Sequence, residues 1–273
     1  MTKFDFRKTK LIILDIDNTI TTSDGEITKE TIETIRKVID KHIYVVLCTG
    51  RAANYTMEKS IICNSSPIII SDNGAIIYNY KSKICMFSSP FPNDTLKNKI
   101  AIICNNNKID CVFNTINGRY RFYNNKDNNY IKDIKLINNP NEIKEEVTQI
   151  VINSQTKSNL IKSIKEILAL GNIELTNTNI NAQKEDGYYF CDFNIEGVSK
   201  GRAIKELMSK LKIKEEETIC FGDSMNDHSM IEASKYFVAL KNADKELKTI
   251  AFMITEYDNN ESGVAKFIQK HII

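Results

Sequence analysis

Asp15 and Asp17 stand two residues apart, directly after the apolar run LIIL. In an extended chain, side chains at that spacing leave the same face. The carboxyl end of a strand is also where open parallel sheets bind their ligands. Two carboxylates held this close repel one another, and a divalent cation relieves the repulsion while drawing in a phosphate. Taken alone, the pair could equally be turn residues, because aspartate is common where strands end.

Three further groups carry chemistry. Thr49-Gly50-Arg51 follows the apolar run YVVLC and opens a helical segment, so a hydroxyl and free backbone N–H groups are available to phosphate oxygens there. Its plain alternative is an N-cap and a turn. Lys200 follows Glu196-Gly197-Val198-Ser199 at the start of another helical segment, a place from which an ammonium reaches a phosphate or offsets nearby carboxylates, although most such lysines are simply solvated. Finally, TICF runs into Gly222-Asp223-Ser224-Met225-Asn226-Asp227. This puts a second acidic residue at a strand end, with Asn226 and Asp227 one turn further on to complete or brace a magnesium shell. An N-cap accounts for Asp223 or Asp227, but not for both together with the glycine and the asparagine. His228 reads as a supporting or surface histidine.

The elements that must position these residues follow from periodicity. KLIILD, IYVVLC and PIIIS read as strands, with helices over 29–40 and 51–62 between them. Their nearly unbroken apolar character predicts a parallel sheet covered on both faces. Asp72-Asn73-Gly74 marks a hairpin. From 81 to 185 the chain becomes mixed and more polar, with a hairpin at Asn117-Gly118 and helices over 93–106 and 158–170. This stretch is expected to form an α+β domain inserted into a core made of 1–80 and 186–273, with crossings near Lys81 and Glu185. Helix and strand alternate again after Gly197: helices over 200–211, 226–235, 244–250 and 264–271, and strands TICFG and YFVAL.

The bulk properties narrow the function class. Of 273 residues, 42% are hydrophobic and 26% charged, which excludes disorder and fibrous architectures. Thirty-seven Lys and Arg against thirty-five Asp and Glu leave +2, so neither nucleic acid nor an anionic membrane is the expected partner. MTKFDFRKTK has no apolar signal region, and runs such as LIIL and PIII are far too short to cross a bilayer; a cytoplasmic protein is expected. Seven cysteines without a Cys-x-x-Cys pair argue against disulfides and a zinc site and read as small buried side chains. Oligomeric state is not readable.

The four groups, in this order, resemble the haloacid dehalogenase superfamily of phosphotransferases, and within it the Cof-type phosphatases with a large α/β cap. Asp15-Ile16-Asp17-Asn18-Thr19, Thr49-Gly50-Arg51, Val198-Ser199-Lys200-Gly201 and the Gly222–Asp227 segment are similar to its four motifs; Asn73-Gly74-Ala75 and Asn242-Ala243 are similar to subgroup segments. The resemblance implies an α/β fold, a Rossmann-like core with an inserted cap, acting as a magnesium-dependent phosphatase on small phosphomonoesters such as sugar phosphates. It implies Asp15 as nucleophile through an aspartyl-phosphate and Asp17 as acid and base. Magnesium would lie on Asp15, the Asp17 backbone carbonyl and Asp223, supported by Asp227, with the phosphate on Thr49, Gly50, Lys200 and Asn226. For Asp17, partial burial beside Asp15 is expected. The family's usual glycine after the second aspartate is Asn18 here, the non-glycine residue most tolerant of a left-handed backbone. A phosphomutase would share these motifs, and a receiver module would share the acidic site.

Overall fold

The computed structural model describes residues 5–92, 94–122, 133–180 and 187–273. The first strand, β1 (Leu11–Leu14), is wholly buried. It runs parallel to β2 (Tyr44–Cys48) in the register Leu11 to Tyr44 through Leu14 to Leu47. Between them lies α1 (Lys29–Asp40), started by Thr28, whose side chain accepts the Thr31 N–H, and buried along Thr31, Thr34, Ile35 and Val38. This i, i+3, i+4, i+7 stripe is what lets a polar helix cover a sheet. Then come α2 (Ala53–Ile62), the parallel strand β3 (Ile68–Ser71), a short 3₁₀ turn over Asp72–Gly74, and β4 (Ile76–Asn79), antiparallel to β3. Strand β5 (Ile84–Ser88) ends this half.

A second sheet follows. The chain runs through α3 (Asp94–Asn106), β6 (Asp110–Asn114), β7 (Arg119–Phe122), β8 (Ile134–Ile137), β9 (Gln149–Ser154), α4 (Lys157–Leu168), β10 (Ile173–Asn179) and β11 (Tyr189–Ile195). The six strands are ordered β10-β11-β9-β6-β7-β8. Pairing is antiparallel except between β7 and β8. The register aligns Cys111, Ile152 and Cys191 in one row and Phe113, Ile150 and Phe193 in the next. All six are buried, in one cluster with Ile100 and Cys104 of α3 and Leu160, Ile164 and Ile167 of α4. The alternate residues are mixed: Val112 lies opposite Val151, Asn114 donates to Gln149 at 2.6 Å, and Asp110 pairs with Arg121.

The chain then returns to the first sheet through α5 (Lys200–Leu211), β12 (Thr218–Gly222), α6 (His228–Ala233), β13 (Phe237–Ala239), α7 (Lys245–Ile250), β14 (Met253–Ile254) and α8 (Gly263–His271). The order of that sheet is β14-β13-β12-β1-β2-β3-β4-β5, so β1 lies at its centre, parallel to β12 on one side and β2 on the other. Leu11 to Leu14, Val45 to Cys48 and Ile219 to Phe221 are fully buried, each such aliphatic side chain contributing roughly 1.5–3 kcal/mol by leaving water.

The α/β class and parallel sheet are as the pattern predicts. The chain divides into two compact units: one of residues up to Arg51 with Tyr55–Phe87 and Ser199–Ile273, the other of Ala52–Asn54 with Ser88–Val198. These limits run later than 81–185. β5 still belongs to the first sheet, and β11, in the expected core segment after 186, pairs with β9 and β10 in the second. The expected crossing near Glu185 and a helix start at Asn93 fall outside the described residues. Two helices begin later than periodicity suggests. Arg51 precedes α2, and residues 225–227 form a 3₁₀ turn before α6. No helix among the described residues is long and apolar enough to cross a membrane.

Candidate active site

The loop after β1 closes around one carbonyl. Ile16 O accepts the N–H groups of Thr19, Ile20 and Thr21 and the Thr21 hydroxyl, while Asp15 N–H donates to Phe221 O on β12. Asn18 takes φ 56°, the left-handed conformation expected where a glycine is usual. Its carbonyl accepts from Asn242 Nδ2 at 2.9 Å. Asp15 is thereby fixed, buried, between β2 and β12.

Two strand ends and the start of a helix bring their charges together. Lys200, only 2% exposed, donates from Nζ to Asp15 Oδ1 at 2.7 Å and to Asp227 Oδ1 at 2.6 Å. Ser199 starts α5 by accepting the Arg202 N–H, which places Lys200 in the first turn. Asp223 accepts from Thr19 Oγ1 at 3.2 Å. Oxygens of Asp15, Asp223 and Asp227 lie within 4.8 Å of one another, a set able to hold a metal ion.

These carboxylates do not stand alike toward a cation. Asp227 is fully buried and already committed: its Oδ1 faces Lys200 and its Oδ2 accepts the N–H groups of Asp223 and Ser224. It braces the turn and the lysine. Asp15 and Asp223 are the freer pair. Burial, opposed by Lys200 and reinforced by Asp227 and Asp17, pushes the Asp15 carboxyl up to about 7. Burial together with Asp15 and Asp227 pushes Asp223 up to about 8. Burial alone would discharge Lys200, but the two carboxylates outweigh it and hold the ammonium firmly protonated. Three carboxylates on one ammonium leave negative charge in excess, and hard oxygen donors with unmet charge suit a hard divalent cation.

Asp17 is partly buried, as expected, but its carboxylate is held away from the cluster. Its side chain is 39% exposed and both its oxygens accept from Arg51, Oδ2 from Nε and Oδ1 from Nη2, at 3.0 Å each. Tyr55 OH donates to Oδ1 at 3.4 Å, and the Arg51 guanidinium lies 5.3 Å from the Tyr55 ring centre. The carboxylate is clamped by a planar fork, and its side chain lies outside the metal-capable set. Asp227 occupies that third place. Asn226 is exposed, its Oδ1 accepting from Ser224 Oγ, and it stands outside this hydrogen-bonded set. His228 is exposed. Thr49 is buried, its Oγ1 accepting the Arg51 N–H, with Gly50 between. Cys48 and Cys220 are buried thiols pushed up by burial.

Sequence reasoning gave no role to Thr19, Tyr55 or Asp244. Asp244 accepts the Met225 N–H and donates its own to Asp223 O. The i, i+4 spacing of Arg51 and Tyr55 across the start of α2 is a signal that points to their pairing.

Comparison with known proteins identifies the fold and the family. A haloacid dehalogenase-like hydrolase from Bacteroides thetaiotaomicron superposes with a TM-score of 0.83 at 26% identity, over 96% of this chain and 99% of that one. A sugar phosphatase of HAD subclass IIB superposes with a TM-score of 0.77 at 24% identity, over 97% and 100%. The 5-amino-6-(5-phospho-D-ribitylamino)uracil phosphatase YcsE of Bacillus subtilis is 28% identical over 270 residues, covering 97% of this chain and 96% of that relative. The haloacid dehalogenase-like hydrolase family model matches residues 12–268, and the chain belongs to that family.

Proposed function

We propose that the protein is a magnesium-dependent phosphatase that hydrolyses small phosphomonoesters, sugar phosphates or similar metabolites, through an aspartyl-phosphate on Asp15. The observation that carries this reading is the buried Asp15–Lys200–Asp227 chain with Asp223 beside it. A carboxylate used as a nucleophile has to be held and aimed, and Lys200 does that through Oδ1, which leaves Oδ2 for attack. The new bond forms between Asp15 and phosphorus as the bond from phosphorus to the departing alcohol oxygen breaks. Asp17, once an oxygen is released from Arg51, would deliver the proton that the alcohol takes away, and would later remove one from the water that releases phosphate. Thr49 and Gly50 offer a hydroxyl and backbone donors to the phosphoryl oxygens, and Lys200 offers its charge.

Asp15 and Asp223 would hold magnesium, with the Asp17 carbonyl contributed by the loop. Bound there, the cation would neutralise charge on the transferring group. The second unit serves as the cap that selects the leaving group, and the cytoplasm is the compartment. YcsE and the subclass IIB enzyme are phosphatases by name, which supports this substrate class for the present chain.

The test is phosphate release from a panel of phosphomonoesters with magnesium, comparing the natural chain with Asp15→Asn. The variant is nearly isosteric and keeps an oxygen for Lys200, so it should fold and show no turnover. Retained hydrolysis would remove Asp15 from the reaction. An isomerised sugar phosphate in place of free phosphate would identify a mutase.

A further inference from the structure

Between the Thr49-Gly50-Arg51 loop and the start of α5 lies the turn Asp72-Asn73-Gly74. Its three residues take φ 51°, 59° and 98° in succession, and Asp72 and Asn73 are 0% and 4% exposed. A hairpin turn normally lies at the surface, and left-handed residues usually occur singly. Here three are stacked in the interior.

The turn is bonded to the loop on one side. Thr49 N–H donates to Ile70 O at 3.0 Å, Asn73 N–H to Thr49 O at 3.2 Å and Asp72 N–H to Arg51 O at 2.9 Å. The ladder between β2 and β3 is thus prolonged past both strands, and only the left-handed backbone turns those two N–H groups back onto the loop. The Asn73 amide also fills the space over Gly50: a Cβ there would lie 2.5 Å from Asn73 Oδ1.

On its other side the turn touches the helix that carries Lys200. A Cβ on Gly74 would lie 2.3 Å from Ser199 O and 3.0 Å from Lys200 N. Ser199 O accepts the Ala203 N–H in the first turn of α5. Any displacement of that carbonyl is therefore a displacement of Lys200.

We propose that the buried Asp72-Asn73-Gly74 turn is the spacer that sets Thr49 and Gly50 against Lys200, with Asn73 as a positioning residue for binding the phosphoryl oxygens. The inference rests on the phosphatase reading only in taking the ligand to be a phosphate. Asn73 touches the loop. It acts by fixing where the Thr49 hydroxyl and the Gly50 backbone lie.

Binding of inorganic phosphate in the presence of magnesium, measured by calorimetry, tests this without requiring turnover. Asn73→Gly keeps a residue at ease with φ 59° and removes only the amide, so its melting temperature should stay near that of the natural chain. Its phosphate Kd should rise on the order of tenfold, since displacement of a positioning group by an ångström can cost up to about a hundredfold. Gly50→Ala should weaken phosphate similarly, because the new methyl meets Asn73 Oδ1. Combining the two should recover much of that loss, since the atom struck is gone, whereas independent effects would add. Gly74→Ala, pressing on Ser199 O, should weaken phosphate without recovery by Asn73→Gly. Unchanged phosphate affinity in Asn73→Gly, or simple addition in the double variant, overturns the proposal. A natural chain that binds phosphate through this coupling yet hydrolyses no phosphomonoester upholds the spacer and overturns the phosphatase reading. One that binds no phosphate overturns the spacer.

Discussion

Lys200→Met should destabilise the first unit strongly in the absence of metal. The side chain is 2% exposed and its ammonium bridges Asp15 and Asp227 at 2.7 and 2.6 Å. Removing one member of a buried ion pair costs about 3–5 kcal/mol, because the other charge is left without a partner. Here one cation serves two anions, but Asp227 keeps two backbone donors through Oδ2, so the loss concentrates on Asp15 and stays near that range. For a chain of this size each kcal/mol moves the melting temperature by about 2–4 °C, which gives a fall of roughly 6–20 °C. Thermal unfolding followed by circular dichroism at pH 8 with EDTA would measure it. Magnesium should return part of the loss by supplying positive charge beside Asp15, and Asp227→Asn in the same chain should return part by removing one stranded anion. At pH 6 the loss should shrink, because a carboxylate without its ammonium takes up a proton. If Lys200→Met melts within about 2 °C of the natural chain at pH 8 in EDTA, less than 1 kcal/mol at this size, the ammonium does not neutralise the cluster and the charge argument fails.

The carboxylates of Asp15 and Asp223 are pushed up to about 7 and about 8 in the fold, above the ordinary value of 3.8. The metal-free unfolded chain therefore gives up these protons first, and stability from this pair falls as pH rises from about 4 to 8 and then levels. The gain in melting temperature on adding magnesium should accordingly be larger at pH 8 than at pH 6; a gain independent of pH would sever the link between those protons and the metal. Asp17→Asn should slow turnover of an alkyl phosphate by about 10²–10⁴-fold, the span of positioned proton transfer, and should slow an aryl phosphate with a good leaving group less in the first step. Equal turnover on both substrates by variant and natural chain would strike out its acid and base role. Thr19→Val removes the hydroxyl that donates to Asp223 and should raise the magnesium concentration for half-maximal activity about 10-fold, as loss of a ligand's outer partner does, with activity at saturating magnesium little changed. A lower maximum with unaltered magnesium dependence would assign Thr19 elsewhere.

What the sequence reveals of this site, and what it hides, divides along contact distance. Asp15, Thr49 and Asp223 are legible because each is of a telling type and ends a recognisable apolar strand. The two neighbours of β1 are less so. β2 follows from a short βαβ unit; β12 is recognisable as a strand, but it pairs with β1 from over two hundred residues away, and nothing local marks that pairing. Lys200 reads locally as a solvated lysine; only the packing of α5 against the sheet buries it between two carboxylates. The Arg51 fork on Asp17 depends on rotamers that spacing does not encode, so the partial burial of Asp17 is legible but its partner is not. Asn73-Gly74 was legible as a turn, yet its burial and its contact with Ser199 are tertiary facts. The later limit of the first unit has a similar cause: β5 is no more apolar than the segments after it, and only its pairing in the first sheet reveals where it belongs.

The charge count explains why these groups are linked and not merely adjacent. Asp15, Asp223 and Asp227 in ionised form bring −3 and Lys200 +1, so the buried cluster stands at −2. Opposed to a phosphate dianion, the substrate proposed above, such a cluster would repel it, most strongly where burial lowers the effective dielectric. One divalent cation brings the total to zero. Lys200 alone cannot do this, since it brings one positive charge against three carboxylates. Protons on Asp15 and Asp223 neutralise the cluster equally well but occupy the nucleophile. On the proposed reading, a cation is the one counter-charge that would leave Asp15 free to attack, so that metal binding and nucleophilicity would both follow from the same excess of buried carboxylates.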